Sequence, residues 1–312
     1  MAEIIARSAK FADPTTTAEG KPRASVAPTR LSTLWINTGT LCNLTCENCY
    51  IESSPTNDRL VHISRGEVRA YLEEIAESNL GTDEIGFTGG EPFMNPDIMG
   101  MLKDSLRAGH RVLVLTNAMR PMMKHADGLL ALAERYGSAF TLRVSVDHFD
   151  PECHRQERGA RSWQPMIEGL RWLSRSGFGV NVAGRTRWGE DEETLRAGFA
   201  TLFAAEGISI DTQDPTRLVL FPEMDAGADV PEITTECWEL LGVRPEDQMC
   251  ASSRMVVKRK GAQTTEVVAC TLLPHDDRFA MGPTLLSSLR PVPLNHPHCA
   301  KFCVLGGGSC SA

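Results

Sequence analysis

Residues 84–117 read EIGFTGGEPFMNPDIMGMLKDSLRAGHRVLVLTN, and this window decides the fold. Two short apolar runs, EIGFT and RVLVLT, bracket a stretch whose apolar residues recur at three- and four-residue spacing, the period of a helix that buries one stripe. Strand, helix and strand at this length form a parallel crossover with the helix outside the sheet. The alternation continues in both directions. LSTLWINTG (31–39) precedes the window, and FTLRVSVD (140–147), FGVNVAGRT (178–186) and RLVLFPE (217–223) follow it. Between them lie the helical patterns SRGEVRAYLEEIAESNL, DGLLALAERYG, QPMIEGLRWLSRSG and EDEETLRAGFATLFAAEG. Ser64 and Glu67 have the spacing of a capping box, and Gly109, Gly137, Gly177 and Gly207 stand where helices should end.

The 312 residues suit one large α/β unit with a small appendage. Residues 1–30, rich in Ala, Thr, Pro and Lys without periodicity, read as a flexible tail, and 31–230 as the α/β body. The segment 231–312 reads as a second, small α+β domain: a helical stretch (ITTECWELLG), a hairpin (SRMVVKRKG and TTEVVAC) and a Gly-, Pro- and Cys-rich tail. Apolar residues at 42% and charged residues at 23% describe a soluble chain with a core. A net charge of −8 argues against binding nucleic acid through its phosphates, so a small molecule or a peptide is the expected partner. No run approaches the ~20 apolar residues that span a bilayer, and the first residues lack the apolar core of a secretory signal. A cytoplasmic location is expected. In a reducing compartment the ten cysteines point to metals or catalysis rather than disulfides. Three fall between Cys42 and Cys49 and five between Cys250 and Cys310, while the isolated Cys153 and Cys237 read as buried small hydrophobes or surface thiols.

The first cluster is CNLTCENCY, immediately after the strand LSTLWINTG. In sheets of this kind chemistry gathers at the carboxyl ends of strands. Three thiolates on one tight loop can hold three irons of a cubane 4Fe–4S cluster and leave the fourth open. A zinc site would need four closed ligands, and no fourth Cys or His lies nearby in sequence. The second strand end is FTGGEP, where Gly89 and Gly90 allow close backbone approach and Glu91 offers a carboxylate. The spacing CxxxCxxC followed by an aromatic residue, with GGEP one β/α unit later, resembles the radical S-adenosylmethionine (SAM) superfamily. The resemblance covers approximately residues 32–225 and implies a partial (β/α)6 barrel, open on one side. It implies that Cys42, Cys46 and Cys49 carry the cluster, that the open iron chelates the methionyl part of SAM, and that an electron from the cluster releases a 5'-deoxyadenosyl radical. By the same resemblance Tyr50 lies near the adenine, and Gly89, Gly90, Glu91 and Pro92 bind the SAM amino group. Asn117, Ser145 and Asp147 supply polar strand ends, and Arg158 in HRQERG partners the SAM carboxylate. The fifth strand, VNVAGRTRW, departs from the family's adenine segment.

The C-terminal cysteines resemble the Twitch extension, the short form of the SPASM domain, which implies an auxiliary Fe–S cluster on Cys250, Cys270, Cys299 and Cys303 with Cys310 left over. Two other readings stay open: a zinc site of His296, His298, Cys299 and Cys303, and Cys310 as a trap for a thiophilic substrate such as trivalent arsenic. An electron donor such as flavodoxin or ferredoxin is implied. A non-catalytic Fe–S sensor or scaffold would not require GGEP and the polar strand ends, so an enzyme is expected. The absence of an evident peptide-binding segment before Leu31 leans toward a small-molecule substrate.

Overall fold

The computed structural model describes residues 9–223, 227 and 229–308. Six strands, β1 (Thr33–Asn37), β2 (Glu84–Thr88), β3 (Arg111–Thr116), β4 (Phe140–Asp147), β5 (Gly179–Arg185) and β6 (Leu218–Phe221), pair in chain order and all in parallel. Parallel neighbours need crossovers. They are supplied by α1 (Arg65–Glu77), α2 (Ile98–Arg107), α3 (Ala126–Tyr136), the pair α4 (Pro151–Arg158) and α5 (Trp163–Arg175), and α6 (Glu192–Glu206). All five residues of β1 are buried, as expected of a strand covered on both faces. The Trp35 ring lies over Gly86 of β2, where a Cβ would stand 2.4 Å from it. Ser64 and Glu67 form the capping box that their spacing predicts.

The sheet does not stop at β1. Strand β7 (Ser253–Val257) pairs in parallel with the other edge of β1, and β8 (Glu266–Val268) and β9 (Ala280–Gly282) extend it as antiparallel neighbours. The order is β9-β8-β7-β1-β2-β3-β4-β5-β6, so the hairpin expected in a second domain continues the barrel's own sheet.

The expectation of a flexible tail is overturned for residues 9–30. Phe11, Ala24 and Val26 are buried, and Ser25–Val26 pairs with Val292–Pro293 in a separate two-stranded ribbon. Arg23 makes a buried ion pair with Glu232 at 2.5 Å. These partners lie more than two hundred residues away, and a local scan of composition carries no trace of them.

Candidate active site

The chain leaves β1 at Asn37 and turns over the carboxyl end of the sheet. Thr38 N–H donates to the Thr88 carbonyl at 2.8 Å, and Cys42 N–H donates to the Ser54 carbonyl at 3.0 Å, which closes a loop around the three cysteines. Leu44 N–H points at Cys42 Sγ (3.4 Å) and Ser53 N–H at Cys49 Sγ (3.3 Å). Such donors favour sulfur in its negative, metal-binding form. Cys42, Cys46 and Cys49 all line one pocket at the strand ends. Burial pushes the Cys42 thiol up to about 12 and raises Cys46 as well. Loss of those protons therefore has to be driven by metal binding.

Gly89 and Gly90 form the opposite wall of that pocket. Gly90 N–H donates to the Gly39 carbonyl at 2.8 Å and Glu91 N–H to the Leu41 carbonyl at 3.1 Å. A Cβ on Gly90 would stand 2.1 Å from the Leu41 carbonyl oxygen. The glycines thus admit the cysteine loop itself as well as any ligand. The Glu91 carboxylate turns inward, 2% exposed, and accepts from Thr116 Oγ1 (2.9 Å), Asn117 N–H (2.9 Å) and Phe93 N–H (3.2 Å). Burial pushes its pKa up to about 7 against the pull of those donors. Its side chain ties the ends of β2 and β3 together instead of lining the pocket. Pro92 opens a buried turn of 3-10 helix beside it.

Tyr50, Asn117, Ser145 and Arg158 line the same pocket. Asn117 Nδ2 also donates to Asn43 Oδ1 at 2.9 Å. Asp147 lies beneath, buried, with its carboxylate 2.5 Å from Arg158 Nε and 3.4 Å from Arg185 Nε. Burial opposes its ionisation, but the Arg158 and Arg185 charges overcome that and hold the carboxyl below the usual range. Arg185, from the fifth strand, joins Arg158 in the pocket wall and was not anticipated.

Two further residues escaped sequence reading. Glu157, fully buried, accepts from Asn48 N–H (3.0 Å), Asn48 Nδ2 (2.9 Å) and Arg187 Nη1 (2.6 Å), while its own carbonyl accepts from Glu47 N–H at 2.9 Å. It clamps the two residues between Cys46 and Cys49. One turn earlier His154 Nδ1 bonds the Val146 carbonyl, and burial lowers its pKa to about 4, so the ring stays neutral and docks α4 on β4. The HRQERG segment holds both residues, and their i, i+3 spacing on a helix was the available signal.

Away from this pocket, Cys250, Cys270, Cys299 and Cys303 line one enclosed cavity whose walls include Met249, Leu273 and Phe279. Leu272 N–H points at Cys270 Sγ at 3.3 Å, and Cys299 and Cys303 share one π-helical turn, Cys299–Val304. His296 and His298 lie with tilted rings, centroids 4.6 Å apart, and neither is among the residues lining the cavity. Among the described residues no three His, Cys, Asp or Glu side chains are gathered as a single-ion site. Cys310 lies outside the described residues. No helix among the described residues is long and apolar enough to cross a membrane.

The profile of the Radical SAM superfamily matches residues 36–194, about half of the chain, from β1 into α6. The chain belongs to the radical SAM superfamily. The cofactors of that family are SAM and a 4Fe–4S cluster. The pocket fits them: three sulfurs on one loop, N–H groups aimed at two of them, and two arginines in the wall. The antilisterial bacteriocin subtilosin biosynthesis protein AlbA of Bacillus subtilis is 32% identical over 143 residues, 46% of this chain and 30% of that protein. The AdoMet-dependent heme synthase of Methanosarcina barkeri is 25% identical over 142 residues, 45% of this chain and 38% of that one. The chain therefore spans about a third of these relatives' length. Streptococcus suis SuiB, solved bound to the precursor peptide SuiA, aligns with a TM-score of 0.59 at 14% identity over 86% of this chain and 66% of that one, a likeness of fold.

Proposed function

We propose that Cys42, Cys46 and Cys49 hold the SAM-cleaving cluster, that SAM lies between this loop and Gly89–Gly90, and that the radical acts on a peptide-class substrate. The observation that carries the first part is the convergence of all three thiols with Gly89, Asn117, Ser145 and Arg158 on one pocket. When bound, the cluster supplies one electron to SAM and so a 5'-deoxyadenosyl radical. The chain does the holding. Arg158 and Arg185 present two guanidiniums to the SAM carboxylate, each fixed from behind by Asp147. Asn117 and Ser145 offer hydrogen bonds to ribose, and Tyr50 covers the adenine. Thr88, Gly89 and Gly90, which line the pocket, would receive the SAM ammonium, since Glu91 turns inward to Thr116.

The C-terminal cavity supports a Twitch-like auxiliary cluster on Cys250, Cys270, Cys299 and Cys303. Four thiols around one largely apolar space are a donor set that an iron–sulfur cluster takes; zinc accepts the same four thiolates, and metal analysis of the reconstituted protein separates the two. A flavodoxin- or ferredoxin-like donor would reduce the enzyme.

Peptide is preferred over a free small molecule because β6 is the outermost strand of the sheet and borders a groove lined by Thr186, Val219, Phe221 and Gly306–Gly308. That groove begins one residue beyond Arg185, and an extended chain can pair with such an edge. The peptide links of AlbA and SuiB, stated by their names, agree with it. The test is anaerobic single turnover with dithionite, reading 5'-deoxyadenosine. Peptides encoded beside the gene should raise its yield and gain a mass change. Stimulation by small molecules alone would overturn the peptide reading, and reconstituted enzyme that never cleaves SAM would overturn the whole.

A further inference from the structure

Strand β7 buries a cation. Arg254 is 1% exposed and among the largest fully buried side chains of the protein. Its Nε donates to the Ser288 carbonyl (3.0 Å), Nη1 to the carbonyls of Cys250 (2.5 Å) and Ser253 (2.7 Å), and Nη2 to the Arg290 carbonyl (3.3 Å). All four acceptors are neutral. Among the described residues no carboxylate pairs with it, and the other charge beside it, Arg290, is of like sign. The other buried arginines have a carboxylate at hand: Arg23 faces Glu232, Arg196 faces Glu192, and Arg143 sits near enough to Glu84 to favour its charged form.

A buried guanidinium with hydrogen bonds but no counter-charge costs several kcal/mol by order of magnitude. A fold keeps one where an anion completes the site. The groups beside Arg254 able to turn negative are Cys250 and Cys270, two of the four cysteines around the enclosed cavity. We propose that Arg254 is the built-in counter-charge of the auxiliary cluster, raising its reduction potential and making loading and folding of this region interdependent. This rests on the reading that Cys250, Cys270, Cys299 and Cys303 ligate that cluster. One-electron reduction adds a negative charge at the cluster, and a fixed cation nearby favours that step.

The test uses full-length protein with Cys42, Cys46 and Cys49 changed to Ala, so that one cluster remains. Iron is counted, and the midpoint is read by EPR during a dithionite titration. The Arg254→Gln variant should keep its iron and be harder to reduce by at least tenfold, a 59 mV fall for one electron, while Arg254→Lys should stay near the parent. Four irons per chain with an unchanged midpoint in Arg254→Gln would overturn the Arg254 proposal and leave the cluster reading standing. Absence of iron from the parent would overturn the cluster reading, and the proposal with it. Should Arg254→Gln fail to fold, a second comparison decides. In a chain whose Cys250, Cys270, Cys299 and Cys303 are all Ala, Arg254→Met should raise the denaturant midpoint, because no anion then faces the cation. A lower midpoint there would mark Arg254 as a purely structural carbonyl clamp.

Discussion

The two cysteine sites differ in lining, and the difference separates their chemistry. At the β1 loop three sulfurs share a pocket with strand ends, two guanidiniums and hydrogen-bonding side chains, an arrangement that leaves room for a second molecule. In the C-terminal cavity four sulfurs face apolar walls, and the nearby charge is a buried arginine. An iron with a vacant position can take a substrate, whereas a fully ligated, enclosed cluster can only exchange electrons. As proposed, the first site reacts and the second conducts.

The largest effect should come from breaking the open site. Cys46→Ala should reduce 5'-deoxyadenosine formation to the background of the uncatalysed control while leaving the circular dichroism spectrum intact, because the cysteine sits on a loop above the sheet. With Cys42, Cys46 and Cys49 all replaced by Ala, reconstituted protein should retain about half of roughly eight irons; near-complete loss would erase the distinction between the two sites. Next comes Gly90→Ala. Its new methyl would meet the Leu41 carbonyl at 2.1 Å, and the strain should cost about 1–3 kcal/mol in urea denaturation and weaken iron binding at the first site only.

Glu91→Gln is a finer probe. The amide NH2 would face donors that the carboxylate now accepts, so the fold should lose about 1–3 kcal/mol, where a residue pointing into the pocket would lose SAM affinity alone. The pH dependence has a definite sign. The folded pKa, about 7, exceeds the ordinary 4.5, so the folded state binds the extra proton between those values. The contribution of Glu91 is then full below about 4.5 and falls as pH rises through about 7. Stability measured from pH 4 to 8 should show wild type losing ground to Glu91→Gln along that interval, and parallel curves would contradict the burial of the carboxyl. The smallest effect belongs to Cys237→Ser. Its sulfur accepts from Thr234 and stays clear of both sites, so iron content and turnover should not change.

What the sequence made legible follows from what was apolar. Strands β1 to β6 are built around short apolar runs, and five of their crossover helices show an apolar stripe, so the barrel could be read before it was seen. Helix α4 could not. Its buried residues are His154 and Glu157, so a search for apolar periodicity passes over the element that clamps the cysteine loop. Arg185 is hidden for the same reason, since its place depends on Asp147 across two strands. The ordered arm at residues 9–30 and the junction of β7 with β1 are long-range pairings, set by tertiary contact rather than by local pattern.

That junction has a consequence for how the protein is made. Thr33 of β1 finds Ser253 of β7 only after some 220 further residues have been added, which at ordinary ribosome speeds takes about 10–40 s. Throughout that interval one edge of a buried, flat, apolar strand has no neighbour, and unpaired edges invite association. A nascent chain released before residue 253 should therefore self-associate in sedimentation, while one released after the β8–β9 hairpin should not. The growing polypeptide thus needs shelter at its first strand until its last sheet-forming segment emerges.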